Sequence, residues 1–72
     1  MLNATYTYSF LELSGKPKRF IETNSGCTVK GYGVTTDTVT LSVLYDSVDA
    51  FNRINKAMMD KFKLSPSNIK VI

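Results

Sequence analysis

Three positive charges fall within four positions, Lys16, Lys18 and Arg19, in the stretch Ser14-Gly15-Lys16-Pro17-Lys18-Arg19-Phe20. Ammonium and guanidinium groups so close together can grip phosphates or carboxylates through charge-assisted hydrogen bonds. The other recognition groups are tyrosines. Tyr32 joined to Lys16, Lys18 and Arg19 makes a patch for a larger protein target, because Tyr and Arg are favoured at interfaces. Tyr6 and Tyr8 joined to the same three cations make a different device, a basic loop with ring faces on which bases stack. Three phosphate contacts give only modest, salt-dependent affinity. Lys and Pro at a hairpin tip also blunt edge-to-edge aggregation, which is a structural account of the same residues.

Catalytic chemistry finds few parts. The chain has no histidine and a single cysteine, Cys27, so the thiol has no imidazole to activate it. A zinc site needs about four Cys, His or carboxylate ligands. The carboxylates Glu12, Glu22, Asp37, Asp46, Asp49 and Asp60 read as turn, cap and helix-surface groups. Glu12 and Glu22 would face each other across a hairpin, where like charges are unfavourable. The glycines of Thr28-Val29-Lys30-Gly31-Tyr32-Gly33-Val34 are not a dinucleotide fingerprint, since the third glycine and the following helix are absent. Gly31 and Gly33 instead leave one strand face bare, open to another backbone, a helix or a second copy of the chain. The expectation is no enzyme, no cofactor and no metal.

The 72 residues, 43% hydrophobic and 21% charged with a net charge of +3, suit one globular domain, residues 1–72. Such a chain buries only roughly 60% of its unfolded surface, and one cysteine allows no internal disulfide, so a well-filled core or self-association must compensate. The first ten residues lack a positive n-region and a long apolar run, so no signal peptide is expected. No segment approaches the length of a membrane-spanning helix. A lone thiol suits a reducing compartment, and the expectation is a cytoplasmic protein.

These groups need elements to position them. Tyr6, Tyr8 and Phe10 alternate with Thr5, Thr7 and Ser9, which predicts a strand over Thr5–Leu13, with either a bulge near Phe10-Leu11 or both faces covered there. Ser14-Gly15 and Pro17 predict a hairpin tip, with a second strand over Lys18–Thr23. After a turn at Asn24-Ser25-Gly26, a third strand runs over Cys27–Val34. After a turn at residues 35–38, Val39, Leu41, Val43 and Tyr45 alternate in a fourth. The period then changes. Val48, Phe51, Ile54, Met58, Met59 and Phe62 share one helical face, with Asn55 among them, over Ser47–Lys63. Asp46 or Ser47 is the N-cap. Asp49–Arg53 and Lys56–Asp60 are spaced for i,i+4 pairs. Residues 68–72 close the chain as a strand, expected parallel to the fourth after a helical crossover.

The order β-β-β-β-α-β implies an α+β, two-layer domain: a mainly antiparallel sheet of about five strands with one amphipathic helix on one face. The element order and the use of lysine over arginine resemble the small, self-contained proteins that bacteriophages encode. The expected function is non-catalytic protein–protein association, as an inhibitor or accessory factor of a larger protein. The alternative is nucleic-acid binding through residues 14–20. Homo-oligomerisation through a sheet edge or the Gly31/Gly33 face is compatible with either.

Overall fold

The computed structural model describes residues 2–71. The chain runs β1 (Leu2–Ser9), α1 (Phe10–Leu13), α2 (Lys16–Glu22), β2 (Cys27–Thr35), β3 (Thr38–Tyr45), α3 (Val48–Phe62), a 3₁₀ turn (Pro66–Asn68) and β4 (Ile69–Val71). The strands form one antiparallel sheet in the order β2-β3-β1-β4. The α+β class and the antiparallel sheet stand as expected. The strand count falls from five to four, and three helical segments replace one. Ile72, expected to end the last strand, lies outside the described residues.

The correction falls on residues 10–23. The first strand ends at Ser9, so no bulge forms at Phe10-Leu11. The expected hairpin tip and second strand are instead α1 and α2. Two local signals drive the difference. Proline in the first turn of a helix has no N–H to lose and a φ already suited to it, and Pro17 occupies that place behind the N-cap Gly15. Pro17, Phe20 and Ile21 also repeat at helical spacing, and the face they bury outweighs the extended bias of a residue before proline. Glu12 and Glu22 are therefore not hairpin partners.

Sheet register decides which side is core. Tyr6 lies opposite Leu41, Tyr8 opposite Val39 and Ala4 opposite Val43, and all six are buried. The tyrosine parity of β1 thus faces inward, and Leu11 and Leu13, the conflicting signal, belong to α1. A bulge does occur, but between Val29 and Gly31 of β2. It turns Lys30 out of register, so Cys27, Val29, Tyr32 and Val34 share the core side although their spacing is not uniform. β4 pairs antiparallel with β1, Ile69 opposite Tyr6. It keeps the expected direction relative to β3, but β1 lies between them.

α3 closes the core with Ala50, Ile54, Met58 and Phe62, one ridge of residues four apart. Ser47 is the N-cap, its Oγ accepting from the Ala50 N–H at 3.1 Å. Val48, placed on the apolar face by period alone, is 59% exposed, whereas Ala50 is buried. Gly26 has φ +90°, and a Cβ there would lie 3.1 Å from Ala50 Cβ. The turn before β2 therefore needs glycine both for its backbone and for the approach of α3. α2 adds Pro17 and Ile21 to the core. Gly31 and Gly33 lie on the opposite sheet face with Thr40 and Ser42. At Gly33 no atom lies within 4 Å of where a Cβ would stand, so that face is not where a helix approaches.

Candidate functional site

The loop expected at residues 14–20 is a helix, and helical geometry divides its cations. Lys18 turns toward Glu22, its Nζ 2.8 Å from Oε2. The same Nζ lies 5.3 Å from the centroid of the Tyr32 ring. Lys18, Glu22 and Tyr32 thus form one self-satisfied group, in which the cation already has a carboxylate and a ring face. Lys16 and Arg19 point elsewhere, on the α2 face that also carries Phe20 and Thr23.

That face meets the end of α3. Phe20 and Phe62 pack edge to face, centroids 5.9 Å apart and planes at 81°, the arrangement ring quadrupoles prefer. Lys61 reaches over both rings, 6.0 Å from the Phe20 centroid and 5.9 Å from that of Phe62. Lys16, Arg19, Phe20, Thr23, Lys61 and Phe62 line an open groove of about 240 Å³. Its floor is aromatic and its rim carries three cations. Among the described residues, no carboxylate lines it. Lys61 was missed in the sequence because only the docking of α2 against α3 brings it to Lys16 and Arg19. The adjacency of Lys61 to Phe62 at the end of an amphipathic helix was the sole local sign.

Tyr6 and Tyr8 are core residues, 0% and 5% exposed. Neither presents a ring to solvent, so the expected base-stacking role has no surface to act from. Tyr6 donates its hydroxyl to Asn55 Oδ1 at 2.9 Å. Its one proton being used, the 2.5 Å contact with the Tyr45 hydroxyl must be donated by Tyr45. Asn55 Nδ2 in turn reaches Met59 Sδ at 3.6 Å. Asn55, out of place on an apolar helix face, is thus the polar end of a buried chain linking α3 to β1 and β3. Burial pushes the Tyr6 phenol up. It pushes Tyr45 up more strongly, and the proton it donates to Tyr6 adds to the rise. Tyr8 is raised to about 12, chiefly by burial and secondarily by the nearby Tyr32 phenol. Its hydroxyl has no hydrogen-bond partner among the described residues.

The Cys27 thiol donates weakly to the carbonyls of Ile21 and Asn24, at 3.4 and 3.7 Å. Burial raises its pKa; Arg53 opposes the rise and Asp46 adds to it. A thiol held protonated is a poor nucleophile. Among the described residues, no three of His, Cys, Asp or Glu gather in one place. The expected Asp49–Arg53 and Lys56–Asp60 pairs do not close, and Lys18–Glu22 is the one salt bridge among the described residues. Arg53 instead donates to the Ser25 carbonyl at 3.4 Å, tying α3 to the turn before β2. Among the described residues, no helix is long and apolar enough to cross a membrane. No protein-family model, curated protein or solved structure matches the chain.

Proposed function

We propose that this chain is a non-catalytic binding protein that acts by protein–protein association, as an inhibitor or accessory factor of a larger protein. One observation carries the reading: Lys16, Arg19 and Lys61 line one groove with Phe20, Thr23 and the largely buried Phe62, and no carboxylate among the described residues lines it with them. Interfaces are built in this way, from aromatic and arginine anchors beside a polar rim. Of the four partner residues expected from sequence, Lys16 and Arg19 belong to this contact surface. Lys18 and Tyr32 flank it as a separate, internally paired unit. A cytoplasmic setting fits the single protonated thiol of Cys27.

Nucleic acid is the competing partner, and one experiment separates the two. Tagged protein is used to capture partners from cell extract, with and without nuclease, beside a variant carrying Lys16→Glu, Arg19→Glu and Lys61→Glu. A stoichiometric protein that survives nuclease and is lost with the variant is the expected result. Partners that vanish with nuclease would replace the reading by nucleic-acid binding. Sedimentation of the free protein over a range of concentrations tests whether it also self-associates.

A further inference from the structure

We infer that the groove between α2 and α3 recognises an acidic peptide segment that seats one large apolar side chain on Phe20 and Phe62 and sets flanking carboxylates on Lys16, Arg19 and Lys61. The inference rests on the protein-binding reading and specifies the chemistry of the partner.

Charge complementarity is the first argument. Among the described residues the groove is lined by three cations and no acid, and the nearby carboxylate of Glu22 is already taken by Lys18. Like charges on neighbouring helical positions repel, so Lys16 and Arg19, three apart on α2, gain little from one another. Carboxylates supplied from outside would form the charge-assisted bonds that the chain itself does not provide.

Shape is the second argument, and it favours peptide over nucleic acid. At about 240 Å³ the groove is smaller than the roughly 300–1,000 Å³ of small-molecule sites. It suits one side chain rather than a ligand of many rings. Its two rings stand at 81° to each other, so they make a notch and not the flat platform on which successive bases stack. The three cations line this one groove, whereas a strand of nucleic acid needs a basic track along its backbone. A Phe or Leu side chain in the notch, with Asp or Glu on either side, uses every group the groove offers.

The test is fluorescence anisotropy with the full chain and a short labelled peptide carrying Glu on both sides of a single Phe. Exchanging that Phe for Ala should weaken binding about tenfold or more, the loss expected for an unburied aromatic side chain. Arg19→Glu and Lys61→Glu should each weaken it further, and raised salt should lower affinity throughout. Equal binding of the Phe and Ala peptides would overturn the anchor. Unchanged binding by the Arg19→Glu and Lys61→Glu variants would overturn the site. A single-stranded oligonucleotide binding more tightly than any peptide would overturn the ligand class. Capture from extract keeps this inference distinct from the reading beneath it. A protein partner still held by the triple Glu variant means that association uses another surface. The groove inference then falls while the protein-binding reading stands.

Discussion

α2 and α3 lie side by side, yet their charges obey different rules. α3 begins with a Ser47 side-chain cap, carries Asp49 in its first turn and Lys61 in its last. Each of these suits the helix macrodipole. α2 begins at Gly15 with no side-chain cap, and its first turn holds Lys16 and Lys18 and no acid. Cations at that end oppose the dipole. Helix stability therefore accounts for these charges of α3, for Arg19 in the last turn of α2 and for the paired Lys18 and Glu22, and leaves Lys16 unaccounted for. Residues that break local rules without a local gain tend to mark functional sites. Lys61 belongs to both accounts, since it suits the end of α3 and completes the rim around Phe20.

The widest separation between the two helices should come from paired substitutions. Ile54→Ala empties a fully buried position on α3 and should cost about 2–5 kcal/mol. Changing Lys16, Arg19 and Lys61 together to Gln should move stability by no more than about 0.5 kcal/mol while abolishing partner binding. Chemical denaturation beside the capture assay measures both; a triple variant that unfolds as readily as Ile54→Ala would break the comparison.

Next in size is Tyr6→Phe, which leaves Asn55 Oδ1 without its donor and the Tyr45 hydroxyl without its acceptor. A buried polar group stripped of its partner costs about 1–3 kcal/mol. Partner binding should survive in the fraction that folds, because none of Tyr6, Tyr45, Asn55 and Met59 lines the groove. Loss of binding at unchanged stability would count against the division between core and contact surface.

The buried phenols give a pH dependence of intermediate size. Folding favours the neutral form of Tyr8, whose pKa is raised to about 12. Its contribution is therefore complete below the ordinary phenol value of 10.0 and is lost as pH rises through about 12. Tyr6 and Tyr45 act in the same direction. Stability measured by denaturant should fall over this alkaline window together with phenolate absorbance, and Tyr8→Phe should flatten part of the fall. A stability that stays level through the window would contradict the core placement of these rings.

The smallest effects test the dipole argument directly, because they carry opposite signs. Asp49→Asn should lower stability by about 0.3–1 kcal/mol, and Lys16→Gln should leave it unchanged or raise it by a few tenths. Thermal unfolding at low salt resolves the two. Equal losses from both would mean that Lys16 is placed for stability after all.

Legibility along the chain followed the strength of local period. Val39, Leu41, Val43 and Tyr45 alternate cleanly, and β3 lies where their spacing puts it. α3 was legible for the same reason, to within one residue at each end. Its rotation was less so, because Val48 and Ala50 differ in hydrophobicity in the sense opposite to their burial. Residues 10–23 were misread because Ser14-Gly15 and Pro17 punctuate a hairpin and a helix start alike. The stripe of Pro17, Phe20 and Ile21, which separates the two, is little more than one turn long. Lys16 and Arg19 were legible as members of one basic cluster. Their separation from Lys18 was not, since it depends on the segment being helical.

What the amino-acid order determined alone is therefore local: the strands and long helix whose side chains alternate at one clear period, the poverty of catalytic groups, and the cluster of positive charge before Phe20. Tertiary structure decided the rest. It placed β1 between β3 and β4, turned the tyrosines of β1 into core, and gave Asn55 its partner in Tyr6. It also brought Lys61 of α3 to Lys16 and Arg19 of α2 around one aromatic notch. The physical reason is range. Period and capping act within a turn or two of chain, whereas the contact of Phe20 with Phe62 joins residues far apart in sequence. It exists only once both helices have buried their apolar faces on the same side of the sheet.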